Sequence, residues 1–269
     1  MLTQHCQRWR DRRGTYRPAG EPIDTKRYEI TVLETDRLAR SFVERHHYSG
    51  SYVAALLRVG LYRGDELVGV AVLSQPASQA ALDAALPLPG VLRAELGRFV
   101  LVDDVPANGE SWFLGRVFEL ARRRGFEALV AHSDPQQRFA YGRTVFGGHI
   151  GTIYQGTNAR YRGLTPARTW RLFPNGAVFS ARAWSKLRAR ERGWQYAVDQ
   201  LVAHGAPEPD GDWDQWVRDA VGAATRPWRH HGTHRYIWPL VRHARRLPEG
   251  RVYPKFDIGG TLQLPFARG

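Results

Sequence analysis

The hydrophobic pattern changes period several times along the 269 residues. Residues 28–33 alternate as a strand does. Thr35 or Asp36 can then cap a helix running to about His47, with Leu38, Phe42 and Val43 on one face. Two apolar, β-branched runs, 53–62 and 67–73, flank Arg63-Gly64-Asp65-Glu66 and predict a hairpin. Residues 94–102 read as a strand, the loop 103–109 leads into a helix over 111–124 that Gly125 stops, and 126–132 is a buried strand ended by Ser133-Asp134-Pro135. A short helix is expected over 150–161, and a hairpin from 169–173 and 178–179 around Pro174-Asn175-Gly176. Beyond this, 181–204 reads as one long basic helix and 213–224 as an amphipathic one, joined by an acidic Pro/Gly linker at 205–212. The order predicts a mixed α/β (α+β) domain over 28–180, preceded by a basic, poorly ordered arm (1–27) and followed by a basic helical extension (181–269).

Composition narrows the class. With 43% hydrophobic residues the chain can build a core. No apolar run reaches the ~20 residues that span a bilayer. The N-terminus carries no secretion-type apolar region, so a cytoplasmic location and no membrane partner are expected. The single cysteine, Cys6, excludes a disulfide scaffold or a cysteine-based zinc site. The formal charge is +13, and only Lys26, Lys186 and Lys255 among the 39 basic residues are lysines. Arginine suits phosphate forks, although a GC-rich genome or a need for solubility produces the same count.

Some polar positions point to chemistry instead of packing. His46-His47-Tyr48-Ser49 close the first helix, Arg98 interrupts an apolar strand, Ser133 and Asp134 end another, and His149 and Tyr154 follow in a glycine-rich stretch. The turn Asn108-Gly109-Glu110-Ser111 opens a helix, where free N–H groups favour a phosphate. Each also has a structural reading: a helix-end dipole contact for the histidines, a solvent-facing arginine, a strand stop, a core aromatic, a capped turn.

The order of strands, with a loop opening a helix between two of them, resembles the GNAT acyltransferase fold: a mixed, mostly antiparallel central sheet flanked by helices. That resemblance implies an acetyl-CoA or related acyl-CoA donor. Its pyrophosphate would lie at Asn108, Gly109, Glu110 and Ser111, and its acyl group beside the backbone of Phe99 and Val100. NGES stands where the family's arginine/glutamine–glycine signature is usual.

The combination HHYSGS, ELGRFVLVDDVPANGESWF, HSDP, GHIGTIYQGTNARY, SKLRARERGWQY with LVAHGAP, and HRYIWPL with YPK resembles, in order over about 28–256, the Mom family of phage DNA-modification proteins. The resemblance implies transfer to the exocyclic amine of adenine in double-stranded DNA. The product is a methylcarbamoyl or carbamoylmethyl-type adduct that protects phage DNA from restriction. It favours His47, Tyr48, Arg98, Ser133, Asp134 and Tyr154 as the site, with Asp134 taking the amine's proton and Tyr154 supplying one to the leaving group. It also raises bound iron, for which His46 and His47 are the candidates. Arg188, Arg190, Arg192, Arg229, Arg235 and Tyr236 become candidate DNA contacts. The alternatives are a GNAT N-acetyltransferase acting on a small amine or peptide, and a non-enzymatic DNA-binding protein.

Overall fold

A computed structural model describes residues 5–76 and 78–255. In chain order the strands and helices are β1 (His5–Arg10), β2 (Arg13–Pro18), β3 (Tyr28–Val32), α1 (Asp36–His46), β4 (Ala55–Arg63), β5 (Glu66–Ser74), α2 (Gln79–Ala85), β6 (Leu92–Leu101), α3 (Gly109–Arg123), β7 (Phe126–Ser133), β8 (Arg138–Ala140), β9 (Arg143–Phe146), α4 (Thr152–Gly156), β10 (Arg160–Leu164), β11 (Arg168–Leu172), β12 (Val178–Phe179), α5 (Ala181–Ala189), α6 (Gln195–Val202), α7 (Trp213–Ala224), β13 (Arg226–His230) and β14 (His234–Pro239).

These elements form two compact units, each with its own core. The first comprises residues 1–135, 148–165 and 233–269; the second comprises 136–147 and 166–232. In the first, seven strands run in the order β10-β14-β7-β6-β5-β4-β3, antiparallel throughout except for the parallel pair β6 and β7. Phe42 and Val43 of α1 and Phe113, Leu114 and Val117 of α3 join the sheet's main core with Val59, Val72 and Leu129. Leu82 and Ala85 of α2 cluster with Ala128, Val130 and Ile237. The second unit has the sheet β12-β11-β13 and the hairpin β8-β9. Its helices α5–α7 bury Leu187, Leu201, Trp216 and Val221 against Phe173 and Phe179.

The mixed, mostly antiparallel sheet agrees with the expected fold class, but the organisation at the chain ends does not. The expected arm is in large part a hairpin, β1-β2, paired from His5↔Pro18 to Arg10↔Arg13. The expected helical extension is helical only to Ala224: β13 joins the second unit's sheet, and β14 is inserted between β10 and β7 in the first. A run of Arg, His and Trp hides a strand whose alternate residues, His234, Tyr236 and Trp238, are all buried. The long helix expected over 181–204 breaks where Arg190 (φ 48°) and Gly193 (φ 77°) take left-handed conformations. Residues 1–4 of the expected arm, and the extension beyond 255, lie outside the described residues.

One irregularity opens the sheet. Val72 faces Arg98 and Leu73 faces Leu96, so Gly97 is an extra residue in β6, a bulge. A Cβ at Gly97 would stand 2.3 Å from Ser74 Oγ, which keeps the position glycine. β6 and β7 pair from Leu92↔Phe126 to Glu95↔Val130 and no further. Past the bulge they part.

Candidate functional site

Arg98 stands at the parting. It is half-buried, and its Nε donates to the Ser51 carbonyl at 2.8 Å, Nη2 to Ser51 Oγ at 2.9 Å and Nη1 to the Gly97 carbonyl at 2.6 Å. No carboxylate pairs with it among the described residues, so its charge is available to an incoming anion or polarised carbonyl. The bulge and Ser51 hold the guanidinium in place, which answers the question of strand face or solvent.

Across the gap the end of β7 carries Ser133 and Asp134, both buried. The Asp134 carbonyl accepts the His149 N–H at 2.7 Å, and His149 Nε2 lies 3.4 Å from the Tyr48 hydroxyl. Tyr48 in turn packs on His47, with ring centroids 4.2 Å apart. His47 Nδ1 accepts the Ser49 N–H at 3.2 Å, so its proton sits on Nε2. Burial holds the His47 pKa well below its usual value, with Arg98 and His149 adding to the shift, and burial pushes His149 down to about 4. Both rings are neutral at pH 7.

Ser133 is the cross-strand partner of His234. His234 Nδ1 is 2.8 Å from the Tyr161 hydroxyl, while its Nε2 and Ser133 Oγ are buried without a hydrogen-bond partner among the described residues. Burial pushes His234 down to about 4, and His149 adds to the shift. A histidine that folding keeps neutral stabilises the fold above its ordinary 6.5, and that stability is lost as pH falls from 6.5 towards about 4. The full loss is about 3 kcal/mol. The melting temperature is therefore expected to drop between about pH 7 and about pH 4.5, and to drop less in His234→Gln, as scanning calorimetry across that range would show.

Tyr154 lies on α4, packed edge-on against Trp238 at 5.4 Å, and its hydroxyl has no protein partner among the described residues. Burial raises its pKa, so it holds its proton and can act only as a donor. Gly151 brings it to Ser133: at φ 74°, a Cβ there would stand 2.6 Å from Tyr154 Cδ2, 2.9 Å from Tyr236 Cε2 and 3.1 Å from Ser133 Oγ. Left-handed strain plus the ring clash should make Gly151→Ala cost about 3 kcal/mol. This corresponds to a melting temperature roughly 6–12 °C lower, and an unchanged melt would show that α4 can shift.

The loop ahead of α3 is partnered within the chain: the Ala107 N–H donates to Glu21 Oε2 at 3.2 Å and the Asn108 N–H to the Glu21 carbonyl at 3.3 Å. Arg17 grips Glu21 through Nε and Nη2 at 2.6 and 2.7 Å. Arg8 of β1, 1% exposed, donates from Nη2 to the carbonyls of Pro106 and Ala107 at 3.0 and 3.2 Å and ion-pairs with Glu110. Burial raises the Glu110 pKa, and Arg8 opposes the shift. Gly109 is small because Val105 Cγ1 would lie 2.6 Å from its Cβ, not because a ligand approaches. Ser111 Oγ donates to the Asn108 carbonyl, Phe99 stacks on Phe113 and Val100 is core. The Gly109 N–H is likewise bonded within the loop, to the Pro106 carbonyl at 2.9 Å.

Three further expectations are corrected. His46 and His47 diverge: His46 packs on Phe42 with Nδ1 3.5 Å from the Asp11 carboxylate, whereas His47 is buried. Among the described residues no three His, Cys, Asp or Glu side chains are grouped to hold a metal ion, so iron does not fit and no step is derived through it. Tyr236 is fully buried, donating to the Ile150 carbonyl, and is no DNA contact. Arg190 is the left-handed cap of α5 and lies 4.3 Å over the Trp213 ring; Arg188, Arg192 and Arg229 are exposed in the second unit and Arg235 is half-buried on β14. Arg8, Glu21 and His234 are functional surroundings that carry no sequence signal, because their partners lie 99, 86 and 73 positions away. Nothing local marks such pairs.

The site is thus framed by a mixed, mostly antiparallel sheet parted between its two parallel strands, with Arg98 at the parting and Ser133 and Asp134 at the strand end. The chain belongs to the Mom protein family, whose profile matches residues 29–255. No curated protein matches it. Among solved structures it is similar to a Bacillus subtilis acetyltransferase in complex with CoA (12% identity, 80% of this chain and 99% of that one, TM-score 0.36). It is also similar to a GNAT family acetyltransferase from Elizabethkingia anophelis with acetyl-CoA bound (10%, 88% and 98%, TM-score 0.30) and to an N-acyl amino acid synthase from uncultured soil microbes (16%, 45% and 87%, TM-score 0.32). At these scores no residue role is carried across. No helix among the described residues is long and apolar enough to cross a membrane.

Proposed function

We propose that this protein is a transferase that modifies the exocyclic amine of adenine in double-stranded DNA with a methylcarbamoyl or carbamoylmethyl-type group, shielding phage DNA from restriction. The observation that carries the reading is the family match over 29–255, and the grouping of Arg98, Asp134, Ser133 and Tyr154 at the opened sheet is consistent with it. Adenine's amine is a poor nucleophile, so the site must supply charge stabilisation in a water-poor setting. Arg98 faces the carbonyl oxygen as it gains charge. With a donor whose methylcarbamoyl-type group already carries its nitrogen, the new N–C bond forms at that group's carbonyl carbon as the amine's proton passes to the Asp134 carboxylate, and the bond to the leaving group breaks as it takes a proton from Tyr154. The donor class taken by this reading is an acyl-CoA-type molecule, and no step is assigned to its nucleotide. The test is mass spectrometry of nucleosides from plasmid DNA after expression of this chain: an adenine adduct supports the reading. Unmodified adenine at good soluble expression would remove it and leave a small-amine acetyltransferase or a DNA-binding protein.

A further inference from the structure

The hairpin β8-β9 is inverted relative to ordinary strand patterning. Along β8, Arg138 and Ala140 are buried while Phe139 between them is 56% exposed, and Tyr141 at the tip is 72% exposed. Arg138 lies 4.2 Å over the Phe146 ring, so the hairpin spends a cation–π contact on its inner face and shows its phenylalanine to solvent. A solvent-facing strand position normally carries a polar side chain.

The turn is equally unusual. Tyr141 and Gly142 both have positive φ, 53° and 70°, the geometry of a two-residue turn that favours Asn-Gly. A bulky aromatic there is uncommon and strained, and such strain gathers at functional positions. The chain leaves the first unit after Pro135 and re-enters it at Gly148. Next to those two points the Asp134 carbonyl accepts the His149 N–H, so the ends of the excursion are tied together.

Charge identifies the occupant. Residues 136–147, 166–180 and 225–232, which make both sheets of the second unit, contain six arginines and no Asp or Glu. Arg143, Arg168, Arg226 and Arg229 are exposed and have no carboxylate partner among the described residues. Exposed aromatics beside unneutralised arginines match a polyanion whose interior is aromatic.

We infer that Phe139 and Tyr141 form a wedge that enters a DNA duplex and takes the place of an extruded base, with the arginines of β9, β11 and β13 on the flanking phosphates. The inference rests on the proposed action on adenine in duplex DNA and adds how the base leaves the stack, since an amine engaged in a base pair is not free to react. Stacking by the two rings offsets part of the unstacking cost.

Permanganate oxidises thymines that have lost their partner and their stacking, and so reports extruded adenines without knowledge of the target sequence. The full chain at saturating concentration on a linear duplex is expected to create reactive thymines. In the double variant Phe139→Ala, Tyr141→Asn their reactivity should fall about tenfold. Asn suits the positive φ, so the turn persists without the ring, and an unaltered circular dichroism melt would verify this. Thymine reactivity equal to wild type in the variant overturns the wedge while leaving the adenine reading intact. A wild-type chain that ignores duplex DNA at low salt, or sediments instead with anionic vesicles, overturns both.

Discussion

Asp134→Asn is expected to lower adenine modification by about 10²–10⁴-fold, the range over which a positioned general base acts. Asn has nearly the same shape, and the hydrogen bond that ties this position to His149 uses the backbone carbonyl, which the substitution leaves in place. What is lost is the negative charge, which also acts on His149 and His234, and with it the ability to take a proton. The surrounding groups do not substitute for it: burial keeps His47, His149 and His234 reluctant to protonate, and burial keeps Tyr154 protonated. The measurement is adduct per adenine in plasmid DNA at matched soluble protein, with circular dichroism to verify folding. An adduct level in Asp134→Asn equal to wild type would move the base elsewhere, and His149 would be the first residue to examine.

Arg8→Ala should have the largest effect on stability, about 3–5 kcal/mol within the N-terminal hairpin and its seat, the usual cost of removing one partner of a buried ion pair. The guanidinium satisfies two backbone carbonyls and the Glu110 carboxylate at once. Without it Glu110 is buried and uncompensated, and takes up a proton. Amide exchange of β1 and β2 and of Ala107 and Asn108 should accelerate, while β4 and β5 in the sheet centre stay protected. Arg8→Ala, Glu110→Gln should recover part of the loss, because no unpaired charge remains. Unchanged protection of β1 and β2 in Arg8→Ala would show that Arg17, Thr15 and the strand pairing hold the hairpin by themselves.

The central features were legible because they are local. Alternation at 28–33, the Arg63–Glu66 turn and the stop at Gly125 each express a preference of a few neighbouring residues, and β3, β4, β5, α3 and β7 lie where those signals place them. Asp134 and Tyr154 stood out as polar or phenolic groups at element ends. Tyr236 as a DNA contact failed because charge density along the chain does not reveal which alternate residues a sheet buries. His234, Tyr236 and Trp238 face inward while Arg235 between them is only half-buried.

The sequence by itself therefore determined the mixed fold, the family and the candidate chemistry, since period, turn residues and motif order are properties of short segments. Tertiary structure decided what the loop at Asn108 holds. The Ala107 N–H ahead of the helix meets the chain's own Glu21, a contact across 86 positions that no local preference encodes. It also decided that Arg98 faces the opened strands, because the bulge at Gly97 arises only when β6 is paired with β5.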